Sequence, residues 1–453
     1  MRKPRGSAFS YAPAASGIKK EGIKRQMQTK KIIQVEDKVP PRLLAPLSIQ
    51  HMFAMFGASV LVPFLLGINP AIVLFMNGVG TLLFIAITKG KAPAYLGSSF
   101  AFIAPATLII QQWGYQYALG GFVVVGACGC LLALIIYKCG TKWIDVVLPP
   151  AAMGPVVALI GLELAGSAAS TGKIVGEGVT SATVITFCVT LAVAVLGSVL
   201  FRGFLSVIPI LIAILCGYAT GLITEAVMGE HVIRDGIAAA LQQPLFMLPD
   251  FQTPKFNLDA ILIMLPVLLV IANEHIGHQL VTSKIVGRDL LKEPGLHRSL
   301  FADNFSTALS GLIGSVPTTT YGENIGVMAI TGVYSVRVIG GAAVLSLICS
   351  FVGPLAALIQ TIPGPVIGGI SFLLYGMIGT SGLRILVDNQ VDYGRNRNMV
   401  LTSVIFVTGL SGVTLQMGNV SLSGMTLAAI VGMLMSLLFA AFDKLGLSND
   451  TAK

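Results

Sequence analysis

VPTTTYGENIGVMAITG, residues 316–332, and APAYLGSSFAFIAP, residues 92–105, are the two stretches on which the fold turns. Each opens near a proline. Each then places Gly, Ser or Thr and an aromatic where a continuous helix would prefer Leu and Ala. Tyr, Thr and Phe are good strand formers, so each stretch is expected to hold a short extended piece followed by a half-helix. Unwound backbone at membrane depth is tolerated only where protein or a cavity buries it. Two facing half-helix N-termini would offer free N–H donors to a ligand oxygen. Taken singly, either stretch also reads as a glycine-rich packing helix; their paired positions favour binding.

The surroundings are those of a membrane protein. The chain has 453 residues, 55% of them hydrophobic, with 51 glycines and only 11% charged residues, against about 25% charged in a soluble domain. Mean hydropathy is +0.85. This excludes a disordered chain, a coiled coil and a water-soluble enzyme, because too little polar surface exists to cover a globule of this size. A spanning helix needs about 20 apolar residues. Fourteen candidates are expected, over 45–68, 70–88, 92–111, 117–138, 149–168, 180–200, 203–224, 257–281, 299–315, 317–332, 334–361, 364–384, 399–416 and 422–443. The one long polar interruption, 225–256, reads as an external loop. Six cysteines, Cys128, Cys130, Cys139, Cys188, Cys216 and Cys349, sit in or beside apolar runs with no metal spacing and no disulfide pattern.

The formal charge of +9 is concentrated at one end: residues 1–43 hold eleven Lys/Arg against three acids. A basic tail beside a membrane reads as a cytoplasmic anchor rather than a nucleic-acid arm, and no nucleic-acid partner is expected. The tail lacks an apolar core with a cleavage site, so it is not a signal peptide. Met27 offers a shorter start, which makes residues 1–26 expected to be dispensable. With the tail inside and the spans alternating, fifteen of the remaining Lys/Arg fall inside, and Lys173, Arg234 and Lys255 fall outside. That asymmetry satisfies the positive-inside rule and places both termini in the cytoplasm.

A faint repeat accompanies this pattern. Gln50-His51 in the first span and Gly97-Ser98-Ser99-Phe100 in the third are echoed by Glu274-His275 in the eighth and Tyr321-Gly322-Glu323-Asn324 in the tenth. Gln50 to Ser99 and Glu274 to Glu323 are both separations of 49 residues. Seven spans per copy force the second copy to be inverted in the membrane. Inverted repeats with broken helices in corresponding places mark secondary transporters.

Four carboxylates, Glu163, Glu274, Asp303 and Glu323, fall inside spans. Each costs about 2.5–3.5 kcal/mol or more if charged at the bilayer centre, so groups facing a cavity are the ones expected to act. Glu274 and His278 are four apart and share one helix face, while His275 points elsewhere. A carboxylate accepts hydrogen bonds from a ligand with adjacent N–H donors. Buried, it takes up a proton readily, because burial disfavours its charged form. A neutral, N–H-rich substrate and proton coupling are therefore expected, with Glu274 and Glu323 the leading residues and His278 hydrogen-bonding nearby. A structural pair satisfying neighbouring donors is the alternative for these two carboxylates. Glu163, near the outer end of its span, and Asp303, beside the broken helix, read equally well as structural. The order E-H-x-x-H is not the H-E-x-x-H of zinc proteases, so no metal and no cofactor are expected. His51 beside Gln50 hints at a network role. No nucleophile–base pair is visible, so no enzyme is expected.

Three runs, 48–57 (SIQHMFAMFG), 93–102 (PAYLGSSFAF) and 321–327 (YGENIGV), closely resemble the nucleobase–ascorbate transporter family, also called nucleobase:cation symporter 2, and within it the bacterial uracil permeases. The likeness spans about 44–445, and Glu323-Asn324-x-Gly326 with Thr331-Gly332 fits the family signature. The resemblance implies an all-α polytopic membrane protein of 14 transmembrane segments in two inverted 7-span repeats, with short strands and half-helices in spans three and ten. It implies a core domain over 44–148 and 257–361 and a gate domain over 149–224 and 362–445. Tails at 1–43 and 446–453 and the loop 225–256 lie outside these. The family's substrate contacts carry over to Phe100, Glu274, Tyr321, Gly322 and Glu323, and its proton-coupling groups to Glu274, His278 and Glu323.

The function so implied is uracil import across the bacterial inner membrane by proton symport, with alternating access between core and gate and a homodimer through the gate domains. Purine and ascorbate branches usually show Gln or Pro at the position of Glu323, which favours the pyrimidine branch over a xanthine or guanine permease. Anion transporters share the fold by analogy, but two buried carboxylates repel anions.

Overall fold

The computed structural model describes residues 32–229, 232–418 and 420–448. The basic tail lies outside the described residues up to residue 31, as do residues 449–453 of the other tail. Broken helices dominate the first repeat. The first span is α1 (Pro41–Ala54) and α2 (Phe56–Leu66), and the second is α3 (Pro70–Ile87). Pro70 sits at the first helical position of α3, where its missing N–H costs nothing, and Asn69 Oδ1 accepts the Ala71 N–H at 2.9 Å. The third span is strand β1 (Leu96–Ser98), a 3₁₀ turn over Phe100–Phe102, and α4 (Ile103–Trp113). Next come α5 (Tyr115–Cys139), the short α6 (Lys142–Val147), α7 (Pro150–Glu163), α8 (Ala165–Thr171), α9 (Ser181–Leu200) and α10 (Pro209–Met228).

The second repeat follows a surface helix, α11 (Val232–Leu241). Its eighth span is α12 (Leu258–Met264) and α13 (Val267–Val286), and its ninth is α14 (Leu296–Ile313). The tenth is β2 (Thr318–Thr320) with the half-helix α15 (Gly322–Thr331). Then follow α16 (Val336–Cys349), α17 (Gly353–Gln360), α18 (Gly364–Asp388), α19 (Asn396–Leu410), the hairpin β3 (Thr414–Met417) and β4 (Val420–Ser423), and α20 (Gly424–Lys444). Among the described residues nine of these spans are long and apolar enough to cross a bilayer by length and composition. The third, ninth, tenth, eleventh and thirteenth are shorter or more polar, and each overlaps an expected segment.

The strands of spans three and ten pair with each other. β1 and β2 run antiparallel, with Leu96 opposite Thr320, Gly97 opposite Thr319 and Ser98 opposite Thr318. Equivalent strands of two inverted copies must run in opposite directions, so this register is the repeat expressed as hydrogen bonds. All six residues are buried, as backbone without helix must be at this depth.

Around this pair the helices form two sets. In one, α14 packs along α5, and α16 along α3 and α1. Small residues allow the approach: a Cβ on Gly126 of α5 would meet the Ala308 backbone nitrogen at 2.4 Å. In the other set, α18 packs on α7, α9 on α10, and α19 on α20. Helices α9 and α10 bury about a quarter of their apolar windows (28% each), against 67% for the span Pro150–Thr171. Their outer faces, with Val195, Leu196, Val199 and Leu200 exposed, are left uncovered by the rest of the chain.

Two expectations need correction, and a third gains detail. The eleventh span, read as 334–361, breaks at 350–352. There the Phe351 carbonyl accepts the Met247 N–H at 2.9 Å, and the Gly353 N–H reaches the Leu245 carbonyl. The chain pairs sideways with 245–247 instead of continuing its helix. The thirteenth span, read to 416, ends at Leu410 and gives way to the β3–β4 hairpin. The interruption 225–256 holds the ten-residue α11, whose first turn is anchored by Glu225 accepting the N–H groups of Ile233 and Arg234.

Candidate functional site

The strand pair delivers two helix starts to one place. The turn that begins at Phe100 and the half-helix that begins at Gly322 each lack a side-chain cap on the residue before them, where a helix start leaves N–H groups in need of partners. Both residues line a cavity of about 1450 Å³ together with Glu274, His278, Thr319, Thr320, Tyr321 and Glu323. The cavity is walled on its far side by Met153 and Val157 of α7 and Leu374 and Ile378 of α18. It thus lies between the two helix sets. Its exposed lining residues include Lys284, Lys292 and Arg384 together with Asp145 and Asp388.

All five expected contact residues and the expected histidine reach this cavity. Glu274 comes from α13, and Glu323 from the first turn of α15. Both are half-buried and line the same cavity. Gly322 is open to the cavity. A methyl group on it would meet His278 Nε2 at 3.5 Å, so the imidazole lies alongside the half-helix start. Phe100 is half-buried and meets Tyr375 of α18 edge to face at 6.4 Å between ring centres.

Tyr321 differs from the others. It is 3% exposed, and its hydroxyl donates to the Ser98 carbonyl at 3.0 Å. Its ring occupies the space a Cβ on Gly97 would need, with ring carbons at 2.3 Å. Glycine at 97 is what lets the tenth-span aromatic lie against the third-span strand. Tyr321 is therefore a tie between the two crossings as much as a cavity wall.

Behind the cavity a polar network runs into the protein. His278 Nδ1 lies 3.1 Å from Thr320 Oγ1, and Thr320 Oγ1 lies 3.5 Å from His275 Nδ1. His275 Nε2 contacts Ser299 Oγ at 3.0 Å, and its Nδ1 stands 3.4 Å from Asp303 Oδ2. Asp303 thus faces His275 and does not bond the strand backbone. His51 bonds Asn324 Oδ1 at 2.8 Å, tying the first span to the half-helix. Thr320 and Tyr375 were not singled out in the sequence. A threonine in a strand and a tyrosine in an apolar helix carry no signal of their own.

Glu163 lies elsewhere. Its Oε2 accepts the Met425 N–H at 3.0 Å at the start of α20, where an acid complements the helix dipole. With Ala104, Pro105 and Ile263 it lines a pocket of only about 30 Å³. On that face β4 also packs against α12.

Comparison with known proteins agrees with this construction. Residues 43–418 match the model of a permease family. The chain is 55% identical over 414 residues to the uracil permease of Escherichia coli (strain K12), covering 91% of this chain and 94% of that protein. It is 46% identical over 420 residues to the uracil permease of Bacillus subtilis (strain 168), covering 91% and 96%. In fold it is similar to the transmembrane domain of a cyanobacterium bicarbonate transporter, BicA, with a TM-score of 0.58 at 15% identity over 90% of this chain and all of that one. It is also similar to the murine anion transporter Slc26a9 in the inward-facing state, with a TM-score of 0.67 at 10% identity over 97% and 77%. The paired strands, the two uncapped helix starts and the matched length all point the same way: this chain is a multi-pass membrane protein of the permease family, a nucleobase–ascorbate transporter.

Proposed function

We propose that this permease imports uracil by proton symport. The observation that carries the reading is the meeting of Glu274 and Glu323, from spans eight and ten, in one cavity with Phe100 and the open start of the half-helix at Gly322. Uracil is neutral, planar and small. Its two N–H groups suit the two carboxylate acceptors, its two carbonyls suit the N–H groups at Phe100 and Gly322, and the Phe100 ring offers a face for stacking. The uracil permeases similar to this chain along nearly its whole length support the same substrate. Purines remain the nearest alternative by class, and the carboxylate at 323 favours the pyrimidine. The fold neighbours that carry anions share only 10–15% identity, and a cavity holding two carboxylates repels an anion.

Coupling follows from the same groups. A proton taken up by Glu274, Glu323 or His278 in step with the substrate would neutralise the cavity for the crossing. Assigning the helices of 44–148 and 257–361 to a core and those of 149–224 and 362–445 to a gate makes the cavity the seam between them. Alternating access is then motion of one against the other around a fixed site. With both termini cytoplasmic, the exposed lining at Lys284, Lys292 and Arg384 faces the cytoplasm, and the closed face around Glu163 looks outward. The setting is the bacterial inner membrane, and the exposed apolar faces of α9 and α10 would meet lipid or a second copy in a homodimer. The experiment is labelled-uracil uptake in cells lacking their own permease. Accumulation that a protonophore collapses supports the reading. Failure to take up uracil overturns the substrate, and accumulation sustained by sodium alone overturns the coupling ion.

A further inference from the structure

One ordered segment has no place in the mechanism above: residues 32–39, which lie before the first helix. It is not a loose lead-in. The Ile33 N–H donates to the Gly332 carbonyl at 2.9 Å. The Ile33 carbonyl accepts the Tyr334 N–H at 2.8 Å, and the Val35 carbonyl accepts the Val336 N–H at 3.0 Å. Ser335 Oγ donates to the Asp37 carbonyl at 3.0 Å. The segment therefore runs parallel to 332–336, the connection that leaves α15, with an isolated β-bridge between Ile33 and Val333. Gly332, at φ +72°, is the residue on which α15 ends, and the last carbonyls of a helix need partners from outside it.

The side chains reinforce the backbone. Val35 is fully buried and packs in one apolar cluster with Tyr321, Ile325 and Met328. Val39 packs with Val333 and Val338. Glu36 Oε2 meets Arg288 Nη1 at 2.9 Å. Arg288 directly follows Gly287, the residue that ends α13 at φ +73°. One eight-residue segment thus touches Gly332, which caps the end of α15, and Arg288, two residues past the end of α13, so it reaches the ends of both helices that bear the cavity carboxylates. α15 is ten residues long, too short to be stable by its own hydrogen bonds. What holds its far end fixes where its first turn stands.

We propose that residues 32–39 act as a strap that positions the half-helix of Glu323 against the helix of Glu274, and so sets the affinity of the cavity for its nucleobase. Val35 and Glu36 are positioning residues on this view; neither lines the cavity. The inference rests on the reading of Glu274 and Glu323 as substrate contacts for its affinity readout, and stands apart from that reading for its structural one.

The test uses the full-length chain carrying Ile33→Pro, which removes the donor to Gly332, or the milder Val35→Ala. Amide hydrogen exchange of residues 322–332 is followed in the purified protein, together with KM and Vmax for uracil and the melting temperature. The expected result is faster exchange in 322–332, a KM raised about fivefold by Ile33→Pro from the loss of one hydrogen bond, and little change in Vmax per folded molecule. Unchanged exchange in 322–332 overturns the strap whatever the substrate proves to be. Faster exchange with an unchanged KM overturns its role in affinity. If Ile33→Pro does not fold, Val35→Ala supplies the same two readouts. Glu36→Arg is expected to raise KM about twofold, as an exposed pair is worth little, and Glu36→Arg with Arg288→Glu to restore it. Arg288 also lies within electrostatic reach of Glu293, so the control is Arg288→Glu alone. No rescue in the double variant overturns the ion pair's part.

Discussion

The third and tenth spans are built to one plan and equipped differently. Each gives a three-residue strand and then an uncapped helix start. The third-span crossing brings no charge: it offers Phe100, a backbone amide, and Gly97, whose missing side chain makes room for Tyr321. The tenth-span crossing brings Glu323 at its first turn and Asn324 bonded to His51, and it is held at its far end by the segment before α1. The difference teaches a division of labour. A duplicated scaffold supplies two sets of backbone donors, and chemical identity is then added on one side only. An aromatic face tolerates many flat ligands, whereas a carboxylate selects for donors.

The sharpest way to break this comparison is to remove the charge from the equipped side. Glu323→Gln keeps the shape and one acceptor but, on the proposed reading, removes a carboxylate that would accept from the nucleobase and take up a proton. Uptake of labelled uracil is expected to fall by about a hundredfold or more, a loss near 3 kcal/mol, with the melting temperature nearly unchanged. Wild-type uptake by that variant would sink the assignment of Glu323. Glu274→Gln is expected to behave alike, because both carboxylates line one cavity. A large loss for one and none for the other would leave a single acceptor in charge of recognition.

Next in size is the plain side of the comparison. Gly97→Ala would place its Cβ 2.3 Å from the Tyr321 ring. Overpacking of this kind costs about 1–3 kcal/mol, and the neighbours here are the strand pair and a buried ring with nowhere to move. Uptake is expected to drop about tenfold, chiefly through KM, and the melting temperature to fall with it. An unperturbed variant would show that the two crossings are not locked together through this contact.

Much of this was legible in the sequence, for identifiable reasons. The extended pieces at 96–98 and 318–320 show because Thr, Tyr and Gly stand where lipid-facing helix residues belong. Span order shows because hydropathy reports directly on contact with lipid. What stayed hidden depends on where backbone hydrogen bonds are satisfied inside the protein. The break at 350–352 exists because 245–247 offers those groups partners from far along the chain, and no local pattern announces that. The first residues of the hairpin, 414–416, continue an apolar run and so read as the end of a helix. Residues 32–39 fall within the basic tail 1–43, and nothing in their own sequence shows that Val35 and Val39 are buried against distant partners. Asp303 and His275 could each be read as notable, but their meeting required the packing of α14 on α13. Glu163 was legible as a carboxylate near the outer end of a span, and its cap on α20 was not.

Phe100→Ala asks how much the aromatic face contributes. Aromatic stacking adds about 0.5–1.5 kcal/mol beyond the area it covers, so KM is expected to rise about tenfold at most, with Vmax preserved. If KM holds while Vmax collapses, Phe100 serves the contact with Tyr375 across the seam rather than the substrate.

The smallest expected effect tests the tie between the crossings itself. Tyr321→Phe removes only the hydroxyl that donates to the Ser98 carbonyl and keeps the ring that packs on Gly97. A single buried hydrogen bond of this type contributes about 0.5–1.5 kcal/mol. The carbonyl left behind belongs to a strand already paired on one side, so relaxation absorbs part of the loss. KM for uracil is expected to rise about two- to threefold, with a small decrease in melting temperature. The variant separates two roles that the geometry assigns to one residue. If the hydroxyl serves the scaffold, affinity and stability fall together by a small amount. If it meets the nucleobase after reorienting, affinity falls as far as in Glu323→Gln while stability holds, and the symmetry of the two crossings would then be broken by a second polar group on the equipped side.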